Sequence, residues 1–484
     1  MKFANPTLLA TVSALLLSAC LSNDSDTTAS PTNNNLSPQQ ARSTPRADCG
    51  PGSRPEPGMQ GRVSQADHDS GQAAAGFICN MQLVGSQVAP IANGTVGGFK
   101  THRYVDSQGN ECAYYDSTLL FPTNLVDGRA GVIVLDMADP SNPVQTASLV
   151  TPAMLSPHES LVLSEEAGIL AAVLGNPAFG PGVIDVYDIK TDCRNPQLLS
   201  SSPLGIFGHE SGLSPDGKTF YAGSPGTSTL VAVDISNPAM PQFLWQGNYP
   251  SHGLTLSEDG NRAYVASIGD PAGVLILDVS DIQSRQADPQ VTELANLTWD
   301  TVSIPQNAMP FTKDGKQYLM EIDEFASASD GGQVPAGGAP DGRVGAARII
   351  DITDETNPFV VSDLRLEVHD SANRAEIAND PGASNPTGGY AGHYCSIPTA
   401  DNPTIVACSM IVSGLRVFDI SDLNNPVEVA YHIAPTKDRL LPVPAPASAY
   451  AMSAPAFAPE RKEIWYSDGY SGFYALKVTN GAWK

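Results

Sequence analysis

One phrase recurs through this 484-residue chain and limits what it can fold into. An apolar run ends in Asp, an apolar residue and Ser or Thr follow, and Asn-Pro or Asp-Pro closes the phrase. It reads VIVLDMADPSNP at 132–143, VIDVYDIKTDCRNP at 183–196 and LVAVDISNPAMP at 230–241. It returns as VLILDVSD at 274–281, RIIDITDETNP at 348–358 and LRVFDISDLNNP at 415–426, and a degenerate seventh copy, FYALKVTNG at 473–481, ends the chain. Between copies lies a tight-turn sequence flanked by alternating runs: SEEAGILAAV, SPDGKTFYAG, SEDGNRAYVA and TKDGKQYLME, with SQGNECAYYD (107–116) and APERKEIWYS (458–467) as divergent versions. Each of these reads as a β-hairpin. Seven such units, mostly about 45–60 residues apart, predict an all-β fold, a seven-bladed β-propeller of four-stranded antiparallel blades. Two packed β-domains would explain the strands but not the equal phrasing.

These residues resemble the LVIVD-repeat family, relatives of YVTN-type propellers, over roughly residues 80–484. The resemblance implies the same propeller and little about activity, because propellers host unrelated functions. The last copy stops after its third strand, and a ring left open there would expose strand edges. NMQLVGSQV (80–88) precedes the first hairpin and has the composition of a strand, so it is expected to close blade seven as its fourth strand.

The N-terminus reads as a leader, expected to span residues 1–19. Lys2 gives a positive start, Leu8 to Leu17 is a short apolar run, and Leu17-Ser18-Ala19-Cys20 resembles the lipobox of bacterial lipoproteins. That resemblance implies cleavage before Cys20 and acylation, palmitate included, of that residue. Leu21 rather than Asp follows, so the outer membrane is expected, with the protein periplasmic or surface-exposed and held by its lipid alone. Residues 20–48, rich in Ser, Thr, Asn and Pro, form a flexible tether, and 49–79 an N-terminal extension. The balance of 26 Lys+Arg against 51 Asp+Glu disfavours nucleic acid and anionic headgroups as partners. An envelope protein, a glycan or a small molecule remains, and a monomer is expected.

Apart from Cys20 there are six cysteines, an even number in an exported chain. Cys395 and Cys408 lie equidistant from the middle of one hairpin and should face each other. Cys112 and Cys193 belong to the same rim of adjacent blades, so a bridge can form there. Cys49 and Cys79 pair by elimination.

The histidines carry the functional signal. Aligned on the hairpin turn, His209 stands five residues before Ser214, and the same offset gives His102, His252, Asn307, His393 and, in blade seven, Ser453. His158 is displaced by one residue, as by a bulge. Five of the eight histidines thus fall at or beside one repeat position, where the first strand of each blade lines the channel mouth. The long insertions 323–345 and 369–393 connect strands at the same face, where binding sites collect. Converging imidazoles, with Glu159 and Glu210 in support, can ligate one transition-metal ion on the axis (Cu, Zn, Fe or Mn). A metal-free ligand pocket and a purely structural polar ring are the other two readings of the same residues.

No catalytic residue can be assigned. Two classes of function are therefore carried: a propeller that binds a ligand or partner at this face, and a metal-dependent oxidase or lyase acting at the histidines. Propellers with axial histidines among the selenium-binding methanethiol oxidases and polysaccharide lyases are parallels at the level of the fold alone. In a lyase, Arg103 and Tyr394 would serve as oxyanion stabiliser and general acid. Glu321, Asp323 and Glu324 form an acidic run of the kind that binds Ca²⁺, while His369 and His432 end outer strands and His68 lies in the extension.

Overall fold

The computed structural model describes residues 43–88, 96–118, 130–175, 181–299, 301–327, 333–334, 343–383, 385, 388–439 and 445–484. The leader, Cys20 and most of the tether lie outside the described residues, as do parts of the insertion at 323–345.

Seven four-stranded antiparallel sheets form the blades, in chain order. Blade one comprises Thr101–Val105, Glu111–Asp116, Val132–Asp136 and Val144–Leu149. Blade three, the most regular, comprises Glu210–Leu213, Thr219–Ser224, Thr229–Asp234 and Gln242–Gly247. Second and third strands are sandwiched between neighbouring blades and are apolar on both faces, so all six residues of Thr219–Ser224 are buried. Fourth strands face water on one side, and Gln242–Gly247 is accordingly half exposed.

Strand alternation assigns each side chain to one interface. Tyr114 packs with Leu170 and Tyr187 of blade two, whereas its neighbour Tyr115 packs with Trp465 and Phe473 of blade seven. Among the described residues there are seven such apolar clusters, one for each interface between blades. A fully buried Leu or Ile in one of these layers contributes about 1.5–3 kcal/mol.

The recurrent Asp has a structural role. At the end of the third strand in blades one to six its carboxylate accepts the backbone N–H two residues on, as Asp136 does from Ala138 at 2.9 Å, Asp188 from Lys190 at 2.8 Å and Asp419 from Ser421 at 2.8 Å. These Asx turns start the connection to the fourth strand. In the hairpin turn, Ser214 Oγ accepts from Thr219 N, and Gly217 takes the left-handed φ of 68° that the turn requires.

Closure is made by the N-terminal strand. Met81–Val88 pairs antiparallel with Gly472–Val478 and is the outer strand of blade seven. It copies a detail of the other blades. Every fourth strand carries one extra residue against its third strand: Thr146 in blade one, Leu199 in blade two, Leu244 in blade three. In the closing strand Val84 is that residue, opposite Leu476 and Ala475. Such bulges increase the local twist, so the N-terminal strand reproduces the curvature of the strand it replaces.

The extension that precedes it is part of the ring wall. Phe77–Cys79 adds a fifth strand to blade six by pairing with Val427–Ile433. The buried Arg416 holds Glu56 of the extension at 2.7 Å and Glu428 of its own blade at 3.0 Å. Three disulfides lie at Cys49–Cys79, Cys112–Cys193 and Cys395–Cys408, the pairs that strand layout and elimination give. They mark a protein of an oxidising, extracytoplasmic compartment. Among the described residues no helix is long and apolar enough to cross a membrane.

Candidate metal centre

Four of the histidines converge with three glutamates where the innermost strands meet. His209 immediately precedes the first strand of blade three, and Glu210 begins that strand. His252 is the bulged residue of Ser251–Leu256: the register with blade four's second strand jumps from Ser251 to Gly253 and leaves the histidine unpaired in the ladder. His158 adopts φ of 53°, unusual for a residue with a Cβ and the cause of its one-residue displacement. The turn is held by Ser160, whose N and Oγ both donate to Pro157 O at 3.0 and 2.6 Å. His393 donates from Nδ1 to Met452 O at 2.7 Å, which aims Nε2 at the cluster.

Glu159 and Glu324 link these rings. Glu159 Oε1 lies 3.2 Å from His393 Nε2 and 3.9 Å from His158 Nε2, while its Oε2 lies 3.2 Å from His209 Nε2. Glu324 places Oε1 3.2 Å from His252 Nε2 and Oε2 3.4 Å from His393 Nε2. The Nε2 atoms of His209 and His252 are 3.3 Å apart. Glu210 is tied down beside them, accepting from Lys100 Nζ at 2.8 Å and Asn307 Nδ2 at 3.2 Å. Gly253 makes room for it: a Cβ there would stand 1.8 Å from Glu210 Oε2. Phe99 closes one side, 4.5 Å from the His158 ring and 5.2 Å from the His393 ring.

The cluster is nearly dry. The Glu159, Glu210, Glu324, His252 and His393 side chains are at most 7% exposed, and only the 13% of His209 opens toward solvent. Burial alone would neutralise the carboxyl of Glu159, but the surrounding imidazoles of His158, His252 and His209 outweigh it and hold its pKa well below the usual range. Burial likewise opposes charge on His393, yet Glu159 and Glu324 raise it to about 9; His252 is raised well above its ordinary value by the same contest, with Glu159 the chief partner. Without an added cation, protons on imidazoles balance the carboxylates.

The other sequence candidates are placed differently. His102 does not join the cluster: its Nε2 lies 3.0 Å from Leu161 O in blade two, and burial drives its pKa down to about 4 against that carbonyl. An edge strand with a free neighbouring carbonyl offered it a local partner. Arg103 points away, paired with Glu111 and Glu460. Tyr394 adjoins the cluster, but its OH accepts from Gln306 Nε2 at 2.9 Å and its ring lies 3.8 Å under Lys100 Nζ, a packing role. Ser453 bonds the backbone of Ser467. Glu321 and Asp323 pair with the buried Arg348 on one face of their strand, while Glu324 turns to the opposite face and the histidines, so the three form no common Ca²⁺ site. His369 accepts from Leu366 N, His432 lies 2.8 Å from Tyr466 OH, and His68 is half buried in a short helix.

Sequence reasoning missed Lys100, Phe99 and the role of Glu324. No other repeat copy has a basic residue at the position of Lys100, so alignment of the repeats gave it no signal. Glu324 comes from the end of a second strand, outside the position that carries the histidines.

Comparison with known proteins adds the repeat. Residues 226–248 match the LVIVD repeat. No curated protein is significantly similar in sequence. Among solved structures, the hydrazine synthase of Kuenenia stuttgartiensis is 14% identical over 81% of this chain and 98% of that one, with a TM-score of 0.47. The periplasmic gluconolactonase of Pseudomonas aeruginosa is 12% identical over 73% of this chain and 88% of that one, at 0.45. At these values neither lends its activity to this chain.

Proposed function

We propose that this propeller is an exported protein, lipid-anchored through Cys20 to the outer membrane, that binds a divalent transition metal at the cluster of His158, Glu159, His209, His252, Glu324 and His393. One observation carries the reading. Donor atoms held at 2.0–2.2 Å from a common ion stand about 3.3–3.5 Å apart at tetrahedral angles. The nitrogens and oxygens of this cluster stand 3.2, 3.2, 3.2, 3.3 and 3.4 Å apart. Several of them have no hydrogen-bond partner although buried: Glu159 Oε2, His252 Nδ1 and His393 Nε2. Orphaned polar atoms of this kind each cost about 1–3 kcal/mol, a cost that a bound cation would remove. Mixed imidazole and carboxylate donors suit Mn, Fe, Cu or Zn rather than Ca²⁺ or Mg²⁺.

A metal at the mouth of the propeller makes the enzymatic reading, an oxidase or lyase, a consequence of the binding one. The test is elemental analysis of protein purified without chelators, followed by titration of the stripped protein with Mn²⁺, Co²⁺, Cu²⁺ and Zn²⁺. Metal near stoichiometry, lost in His209→Ala and retained in His68→Ala, is expected. Protein that is isolated metal-free and takes up none of these ions would overturn the reading and leave a polar plug or a metal-free pocket.

A further inference from the structure

The two oxygens of each linking carboxylate serve different histidines. Glu159 sends Oε1 to His393 and His158 and Oε2 to His209. Glu324 sends Oε1 to His252 and Oε2 to His393. Two sets of donors each lie close enough together to hold an ion: His158, Glu159 and His209 in one, and Glu159, His252 and Glu324 in the other. Glu159 belongs to both sets, and His393 Nε2 lies beside them, 3.2 Å from Glu159 Oε1 and 3.4 Å from Glu324 Oε2.

We infer that the cluster is a dinuclear centre, in which Glu159 bridges two divalent ions, one held with His158 and His209 and the other with His252 and Glu324. This rests on the metal-binding reading and sharpens it from one ion to two. The chemistry of the donors supports it. Carboxylates bridge metal pairs by giving one oxygen to each ion, and two-metal sites have separations of about 3.5–4 Å. Charge points the same way: with neutral imidazoles, Glu159, Glu210 and Glu324 against Lys100 leave a net charge of −2. Two divalent ions turn that to +2, so the ligand that completes the pair is a small oxyanion or hydroxide, reached from the side where His209 is exposed.

The experiment uses the chelator-stripped full chain equilibrated with Mn²⁺ or Zn²⁺, with bound metal counted by mass spectrometry of the digested protein and Mn²⁺ spectra recorded by electron paramagnetic resonance. Two equivalents of at least one ion, and an exchange-coupled signal for the Mn²⁺ pair, are expected. Glu159→Gln, which keeps the shape and removes the bridging charge, is expected to weaken uptake more than about tenfold and to abolish the coupling. His102→Ala, outside both groups, is expected to keep both equivalents, and thermal melts confirm that each variant is folded. A limit of one equivalent would overturn the dinuclear centre and leave the metal-binding reading standing. Two uncoupled equivalents, or Glu159→Gln taking up metal as the unmodified chain does, would overturn the bridge. No uptake at all would sink both readings.

Discussion

Replacing Lys100 by Met should destabilise the metal-free protein by a predictable amount. Lys100 Nζ lies 2.8 Å from Glu210 Oε1, with side chains only 8% and 0% exposed. Methionine fills nearly the same volume, so packing against Tyr394 is largely kept and the main change is the loss of the ammonium. Glu210 is then a buried carboxylate left with Asn307 Nδ2 at 3.2 Å and His252 Nδ1 at 3.7 Å. Breaking a buried pair on one side costs about 3–5 kcal/mol. Unfolding entropy near 2.1 cal/mol/K per residue gives roughly 0.9 kcal/mol/K for the ~430 residues after the tether, so the melting temperature should fall by about 3–6 °C. The assay is thermal unfolding by circular dichroism in the presence of a chelator, for Lys100→Met, Glu210→Gln and the double variant. If the cost is the orphaned charge, the double variant recovers most of it, with a coupling energy of several kcal/mol by double-mutant cycle. A drop below about 1 °C for Lys100→Met would show that the pair is solvated and contradict the dry cluster. A double variant no better than Lys100→Met alone would show that packing, not charge, carries the loss.

Two further outcomes test the ring itself. Gly85→Val places a Cβ 2.1 Å from Pro140 O and 2.8 Å from Ser141 C, both backbone atoms, so the closing strand must shift away from blade one; overpacking of this kind costs about 1–3 kcal/mol, and an unchanged urea midpoint would contradict closure by residues 81–88. Burial, helped by Arg54, holds His432 at a pKa of about 3, whereas the unfolded chain protonates it near 6.5. Its contribution is therefore complete above about pH 6.5 and is lost as pH falls toward 3, amounting to about 3 kcal/mol between pH 6.5 and 4. His432→Gln should flatten the loss of stability over that window in urea titrations at pH 7, 5 and 4, and an equal slope in both proteins would refute the assignment.

The architecture was legible because it is local. Each unit is a hairpin with its own turn residues, followed by a strand that ends in an Asx turn, and these signals act over a few residues of sequence. Seven copies then leave one compact way to bury the apolar faces, with each blade against the next. The closing strand could be read from what the last copy lacks, and the disulfides from strand layout and elimination. The histidine position was legible too, since five of eight histidines sit at or beside one offset.

What that offset does not encode is where each ring points. Five histidines lie at or beside the position, yet four converge and His102 turns to Leu161 O. The difference lies in a bulge at His252, a left-handed φ at His158 and a backbone carbonyl that fixes His393, each set by neighbours rather than by the repeat. The carboxylates and the lysine that give the cluster its charge come from residues 100, 159, 210 and 324, on different blades and at different places within the unit. Sequence repetition determined that a polar ring would line the axis, because every blade presents its first strand there. Only the closed ring decided which members meet, because their meeting depends on strand tilt, bulges and side-chain rotamers across separate blades, and on the low dielectric that their mutual burial creates.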